Sequence, residues 1–146
     1  MKYLLLLNIL TVSLNLFPQN KNDSTAIVNL LITDYKTMGN WDVKTHVENC
    51  TKNYLLIENG EIWDMEMEKK DYNAKSNRII DRKDYFDFKF VRIYGAITYA
   101  IYSLRSDITE DGNLKIKTWN ESTIFRKIDG AWKIELIHST PVDLKK

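Results

Sequence analysis

Cysteine is nearly absent from this sequence of 146 residues, in which Cys50 is the single example. One cysteine excludes a disulfide bond within the chain. No cysteine follows the apolar N-terminal segment to carry a lipid. A lone thiol of this kind is typically a small buried apolar group, so we expect Cys50 to lie in the core.

Net charge is almost absent as well. The chain has 21 Lys and Arg residues against 20 Asp and Glu residues, and no basic run is longer than Lys145–Lys146. A nucleic-acid-binding surface needs clustered basic residues that displace counterions from phosphates. We therefore expect no nucleic-acid partner.

Several motifs that carry chemistry are missing. The sequence contains no Gly-rich phosphate-binding loop, no nucleophile elbow and no Cys-x-x-Cys pair. It also lacks internal repeats, linkers and low-complexity segments. These absences favour a single domain that uses no cofactor.

The first 19 residues differ in kind from the rest. An apolar run from Tyr3 to Phe17 follows Lys2. The run is short for a transmembrane helix but fits a secretory signal. We predict a signal peptide over residues 1–19 and a domain over residues 20–146. The mature domain is then periplasmic or secreted and leaves the membrane on cleavage. Because no small-x-small cleavage motif follows the run, an uncleaved anchor is the alternative.

The hydrophobic period changes along the domain. Ile27, Leu31 and Tyr35 recur at helical spacing, and two shorter helices are predicted after them. From Asp84 onward, four long alternating runs are joined by short turns, two of which contain Asp-Gly. This pattern predicts an antiparallel meander, and the whole chain an α+β domain with helices on one face of the sheet.

Four segments of the chain carry a family resemblance: NWDV, NYLLIENG, VRIYGAITYAIYSL and TIFRKIDGAWKIELIHST. They resemble the SnoaL-like branch of the nuclear transport factor 2-like superfamily over roughly residues 26–140. The resemblance implies a curved antiparallel sheet that wraps about three helices into a cone with an internal cavity. It also implies back-to-back dimers. Members include isomerases, dehydratases and cyclases, and also proteins with no known activity.

One departure from the family pattern concerns catalysis. The family often carries an acidic pair before the first strand, where this chain has Lys52 and Asn53. This chain therefore has no acid at these two positions to take a catalytic role.

The Asp-Gly turns predict the sheet register. A two-residue turn at Asp129-Gly130 places Phe125 opposite Ile134, Thr123 opposite Leu136 and Glu121 opposite His138.

A turn at Asp111-Gly112 places Tyr102 opposite Glu121, Ala100 opposite Thr123 and Thr98 opposite Phe125. A turn at Tyr94-Gly95 places Asp87 opposite Tyr102. The predicted row across four strands is Asp87, Tyr102, Glu121 and His138.

This row supplies the catalytic candidates. Glu121 beside His138 is a plausible acid/base unit, in which the carboxylate orients the imidazole ring. Tyr102 could donate a hydrogen bond to a substrate oxygen. The alternative is that Glu121 and His138 only satisfy each other, as cross-strand charged pairs commonly do.

A second set of residues, most of them aromatic, could line a ligand cavity. The alternative is that these aromatic side chains only fill the hydrophobic core, which is the more common case. His46 and Cys50 form a His-x-x-x-Cys pair, but two ligands do not make a metal site, so core packing is favoured and no metal is expected. The ligand-binding candidates are Tyr35, Trp41, His46, Tyr54, Trp63 and Trp119.

The other face of the predicted sheet is also apolar. Such a surface is costly to leave in water, so we expect a homodimer built on it. The predicted residues of this face are Phe86, Phe88, Phe90, Tyr99, Ile101, Ile124 and Ile137.

Three functional hypotheses follow. The first is an exported domain that binds a small apolar or amphipathic molecule without turning it over. The second is a cofactor-free isomerase or lyase that uses Glu121, His138 and Tyr102. The third is a structural or partner-binding dimer whose cone is filled by side chains. The missing acids at residues 52 and 53 favour the first hypothesis over the second.

Overall fold

The computed structural model describes residues 21–142, and the predicted signal peptide lies outside the described residues. Within them, no helix combines the length and apolar character needed to cross a membrane. The helices are α1 (Lys21–Asn40), α2 (Val43–Asn49) and α3 (Met65–Lys75).

The predicted apolar face of α1 is confirmed. Ile27, Leu31 and Tyr35 lie on one side of the helix and are all buried. An aspartate precedes each of the two shorter helices as its N-cap. The side chains of Asp42 and Asp64 accept hydrogen bonds from backbone N–H groups of the first turn. These N-caps satisfy donors that the helix itself leaves unpaired.

Six strands form a single curved sheet against the helices. The strands are β1 (Cys50–Glu58), β2 (Glu61–Asp64), β3 (Ile80–Tyr94), β4 (Ile97–Glu110), β5 (Asn113–Ile128) and β6 (Ala131–Pro141). Their order in the sheet is β2-β1-β6-β5-β4-β3. All neighbouring strands are antiparallel except the pair β1 and β6, which run parallel. The chain is thus an α+β domain, as predicted.

The core lies between α1 and the inner face of this sheet. Helix α1 packs against β3 and β6. Its apolar side chains meet large inward-facing residues of the strands. The buried strand residues of this core are Cys50, Tyr54, Ala100, Tyr102, Leu104, Phe125, Trp132, Ile134 and Ile137.

The two Asp-Gly turns have the predicted geometry. Asp111, Gly112, Asp129 and Gly130 all have positive φ angles, between 50° and 82°. Two consecutive positive φ angles define the tight hairpin turn whose twist matches the flanking strands. The β4–β5 register is therefore confirmed: Tyr102 lies opposite Glu121, Ala100 opposite Thr123, and Thr98 opposite Phe125.

The β5–β6 register is right near the turn and wrong beyond it. Phe125 lies opposite Ile134, but the next pair is Ile124 with Leu136, so Glu135 is an extra residue in β6. This bulge shifts every later pair by one position and exchanges the two faces of the strand. Thr123 consequently faces Ile137, not Leu136.

The Glu121–His138 pair is wrong for the same reason. Glu121 lies opposite Ser139, and His138 lies opposite Ser122. His138 is exposed, whereas Ser139 is buried. The histidine therefore belongs to the outer face of the sheet.

The β3–β4 register also differs from the prediction. The turn is centred on Gly95 and Ala96, since Tyr94 pairs with Ile97, and an irregularity falls between Phe88 and Phe90. Asp87 faces Ser103, and Phe88 takes the predicted place of Asp87 opposite Tyr102. The four-residue row is therefore broken at both ends.

These shifts divide the predicted apolar face between the two sides of the sheet. Phe86 and Phe88 pack against the core, and Ile137 is part of it. Apolar side chains nevertheless remain exposed on the outer face. We call five of them the outer patch: Phe90, Tyr94, Tyr99, Ile101 and Ile124.

Candidate functional site

A pocket of about 290 Å³ opens between α1, α3 and the inner face of the sheet. We call it the inner pocket. Glu121 contributes to its floor, and Tyr35 and Ser139 lie beside Glu121. This volume is just below the usual range for small-molecule sites, so the pocket suits a small ligand.

Glu121 is held by neutral hydroxyl donors. The Tyr35 hydroxyl donates to Glu121 Oε2. The Ser139 hydroxyl donates to Glu121 Oε1 over 2.7 Å. Burial raises the pKa of Glu121 above its ordinary value, and the hydrogen bonds from Tyr35, Ser139 and Tyr102 act in the opposite direction. The result is a buried carboxyl group that is easier to protonate than one in water.

Tyr102 lies behind this carboxyl group. It faces Glu121 across β4 and β5, and its hydroxyl is 2.9 Å from the Thr123 hydroxyl. Burial raises the pKa of Tyr35 and of Tyr102 well above the ordinary value, with the charge of Glu121 adding to the effect. Both phenols are therefore neutral hydrogen-bond donors across the physiological pH range.

Aromatic and basic side chains form the pocket wall. The Trp119 indole donates to Glu58 Oε1 over 3.0 Å. The guanidinium of Arg82 lies 5.8 Å from the centre of the Tyr35 ring. Lys75 and Arg78 lie over the Trp41 ring, each at 5.7 Å from its centre. The wall therefore combines apolar surface with basic side chains, each of which is paired with a carboxylate: Lys75 with Asp71, Arg78 with Glu110 and Arg82 with Asp84.

Most of the predicted site residues meet at this pocket. Glu121 lines it, together with five of the six ligand-binding candidates: Tyr35, Trp41, Tyr54, Trp63 and Trp119. Tyr102 is buried beneath it. His138 does not reach it, because the bulge at Glu135 turns the histidine outward.

His46 lies in a separate buried cluster. Its Nδ1 atom is 3.0 Å from Asp34 Oδ1, and its Nε2 atom is 2.9 Å from Glu68 Oε2. Burial lowers the pKa of His46, but the hydrogen bond to Asp34, with smaller contributions from Cys50 and Glu68, raises it overall. Burial raises the pKa of the Cys50 thiol to about 12.

Ser139, Asp34 and Glu68 were missed by the sequence analysis. Ser139 was missed because nothing in the local sequence marks the bulge that turns it inward. Asp34 carried a usable signal: it follows Ile27 and Leu31 at helical spacing, so a carboxylate occupies the buried stripe of α1. A buried acid in an apolar stripe needs a partner, and His46 is that partner.

Comparison by sequence matches the chain to no family model and to no curated protein. Comparison by structure finds clear similarity to solved proteins. One is an NTF2-like protein from Cytophaga hutchinsonii, with 17% sequence identity and a TM-score of 0.70 over 84% of this chain and 99% of that one.

Two further solved structures illustrate the range of relatives. The association domain of C. elegans CaMKII is 18% identical, with a TM-score of 0.72 over 82% of this chain and 96% of that one. A ketosteroid isomerase-like protein from Erwinia carotovora atroseptica is 12% identical, with a TM-score of 0.67 over 84% of this chain and 98% of that one. At these identities the similarity concerns the fold.

Proposed function

Because the chain has the nuclear transport factor 2-like fold, we propose that it binds a small amphipathic molecule in the inner pocket. A cationic or hydrogen-bond-donating group of the ligand lies against Glu121, and its apolar body lies against the aromatic wall. The SnoaL-like branch within this fold stays a prediction.

The environment of Glu121 carries this proposal. Within residues 21–142 its hydrogen-bond partners are hydroxyl groups, and no Lys or Arg forms an ion pair with it. An ionised carboxylate accepts about four hydrogen bonds. A buried carboxylate without a cation is costly, so a ligand that donates to Glu121 gains affinity by relieving that cost.

Three ligands of matched shape test the charge preference. Benzylamine, benzyl alcohol and benzoate share one ring and differ in the charge of the side group. Trp41, Trp63 and Trp119 line the pocket, so indole fluorescence reports binding. We expect benzylamine to bind most tightly and benzoate least tightly. Glu121→Gln should abolish the preference for the amine.

The matched control is Glu135→Gln. Glu135 lies outside the pocket and pairs with Arg126 on the surface. It should leave the order of affinities unchanged. Binding led by benzoate, equal binding of all three, or no binding at millimolar concentration would reject the proposal.

A second candidate function is proton transfer by Glu121, as in an isomerase or lyase. The raised pKa of the buried carboxyl group supports it, since an acid/base group works best when its pKa lies near the working pH. Tyr35 and Tyr102 are the neutral donors beside it, and His138 has no part. Deuterium exchange next to the carbonyl of cyclohexanone would reveal such activity. Loss of that exchange in Glu121→Gln would assign it to this site.

We propose that the chain forms a homodimer through the outer patch. The five exposed residues of this patch are neighbours on the sheet. Phe90 lies opposite Ile101, and Tyr99 lies opposite Ile124. The Tyr94 ring stacks on the Tyr99 ring, with the ring centres 6.1 Å apart. An apolar patch of this kind favours a protein partner. The likeness to an association domain adds support for a second copy of the chain.

We also propose that the domain is exported, to the periplasm or the medium. The support is the apolar run that ends at Phe17 and the polar stretch that follows it. Export places ligand binding outside the cytoplasm.

A further inference from the structure

Three buried side chains from different elements meet outside the inner pocket. Asp34 lies on α1, His46 on α2 and Cys50 at the start of β1. One carboxylate oxygen, one ring nitrogen and the sulfur all lie within 4.8 Å of one another. We propose that these three residues bind one divalent transition-metal ion, with Zn²⁺ as the best match.

The orientation of His46 fits a metal ligand. Its Nδ1 atom faces both carboxylate oxygens of Asp34, at 3.0 and 3.2 Å, so a bound cation can take the place of the proton that otherwise joins them. Its Nε2 atom lies 2.9 Å from Glu68 Oε2, but within residues 21–142 this buried nitrogen has no hydrogen-bond partner. A metal-binding histidine usually has a carboxylate beside its other ring nitrogen, and Glu68 supplies one.

The surroundings hold these groups in place. The Asn49 amide donates to Asp34 Oδ1 over 3.1 Å. The His46 ring stacks on Tyr72 with centres 5.2 Å apart and meets the edge of Tyr54 at 5.3 Å. A rigid ring and an oriented carboxylate lower the entropic cost of binding an ion.

The donor set and its dimensions select the metal. Imidazole, carboxylate and thiolate together suit Zn²⁺, whereas Mg²⁺ and Ca²⁺ prefer oxygen ligands alone. Tetrahedral zinc distances imply ligand atoms about 3.5 Å apart. His46 Nδ1 is 3.0 Å from Asp34 Oδ1 and 4.0 Å from Cys50 Sγ. All three ligand atoms lie within 4.8 Å of one another, so binding an ion requires the sulfur to move inward and the Nδ1–Oδ1 pair to open slightly.

The charge balance also favours a cation. Asp34 and Glu68 are both buried, and within residues 21–142 each forms its ion pair with His46. Two carboxylates outweigh one imidazolium. A divalent ion displaces the proton at Nδ1 and the thiol proton, and both protons pass to solvent.

A solvent-accessible pocket borders one of the three residues. Cys50 lines a second pocket, of about 590 Å³, which is open to solvent between α2, β1 and α3. Three protein ligands would leave one coordination position of a tetrahedral ion for water.

Cobalt substitution in the purified chain tests the site. Treatment with a chelator followed by Co²⁺ should give a thiolate-to-cobalt charge-transfer band in the near ultraviolet at one ion per chain. Because Cys50 is the only cysteine in the sequence, such a band identifies it directly. Zn²⁺ should displace Co²⁺, and Mg²⁺ should not.

Variants separate a metal site from a structural ion pair. Cys50→Ser should remove the band while keeping the fold, and Glu68→Gln should weaken Zn²⁺ binding about 10- to 100-fold. His138→Gln is the matched control. It changes the second histidine of the chain, which is exposed on the outer face of the sheet, and it should leave metal binding unchanged.

Two results would overturn the proposal. One is the absence of stoichiometric Co²⁺ or Zn²⁺ binding at micromolar concentration. The other is a ¹⁵N spectrum in which both ring nitrogens of His46 stay protonated in the presence of Zn²⁺, since His46 would then be an imidazolium between two carboxylates. Ligand binding in the inner pocket is measured separately, so failure of one proposal leaves the other intact.

Discussion

Ser139 lies directly opposite Glu121 across β5 and β6, and its hydroxyl donates to Glu121 Oε1 over 2.7 Å. This contact exists because β6 carries one extra residue before it. The bulge places a hydroxyl group, rather than an imidazole, beside the buried acid. The site is therefore built from a carboxyl group and neutral donors.

Ser139→Ala should raise the pKa of Glu121 further. The hydroxyl group lowers that pKa by donating to the carboxylate, so its removal favours the protonated form. We also expect a loss of about 0.5–1.5 kcal/mol in the free energy of unfolding. Titration of the glutamate side-chain carbon by NMR and urea unfolding measure the two effects. Ser122→Ala, opposite the exposed His138, is the control and should change neither. An unchanged Glu121 titration would contradict the assigned hydrogen bond.

Glu121→Gln should change how stability depends on pH. Burial raises the pKa of Glu121 in the folded state above its ordinary value of 4.5, so the folded state binds the proton more tightly than the unfolded state does. The resulting stability is fully present below pH 4.5 and is lost as the pH rises through the folded-state pKa. The stability of the wild type relative to Glu121→Gln should therefore fall as the pH rises from about 4 towards 8, which urea unfolding measures.

Glu110→Gln is the control for this pH dependence, with the opposite sign. The hydrogen bond from Arg78 lowers the pKa of Glu110, so its contribution is present above the ordinary value and lost as the pH falls. If the wild type and Glu121→Gln showed the same pH profile, the raised pKa of Glu121 would be disproved.

Ile101→Glu should separate the proposed dimer into folded monomers. Ile101 is exposed on the outer patch, so a charge there opposes association without entering the core. Sedimentation at micromolar concentration measures the assembly state, and circular dichroism checks the fold. A wild type that is already monomeric would contradict the proposed dimer.

Phe88→Ala provides the contrast to that variant. Phe88 packs inward, with its ring 5.3 Å from the Tyr102 ring. We expect it to lower the free energy of unfolding by about 2–3 kcal/mol, somewhat less than for a fully buried phenylalanine. It should leave the assembly state unchanged. Dissociation caused by this variant without loss of stability would place Phe88 at the interface instead.

The exported protein should begin near Gln19. N-terminal sequencing of the secreted or periplasmic form measures this directly. Leu5→Arg interrupts the apolar run and should retain the chain in the cytoplasm. Finding Met1 on exported protein would contradict cleavage and favour the uncleaved anchor.

The sequence by itself determined the fold class, the four long strands, the apolar face of α1 and the register of β4 against β5. These features depend on local patterns: helical spacing at Ile27, Leu31 and Tyr35, alternation along the strands, and an Asp-Gly turn that fixes the pairing from Glu110 and Asn113 onward. It also placed Glu121 on the inner face of the sheet, where this residue is buried and lines the inner pocket.

Tertiary structure decided which residues surround Glu121. The bulges near Lys89 and at Glu135 have no local signature, yet each exchanges the faces of a strand, so His138 turns outward and Ser139 turns inward. Tyr35 meets Glu121 only because α1 packs across the sheet. Asp34 meets His46 for a similar reason, since α1 and α2 pack together. Contacts between distant elements depend on how the helices and the twisted sheet pack, which the periodicity of any one element does not specify.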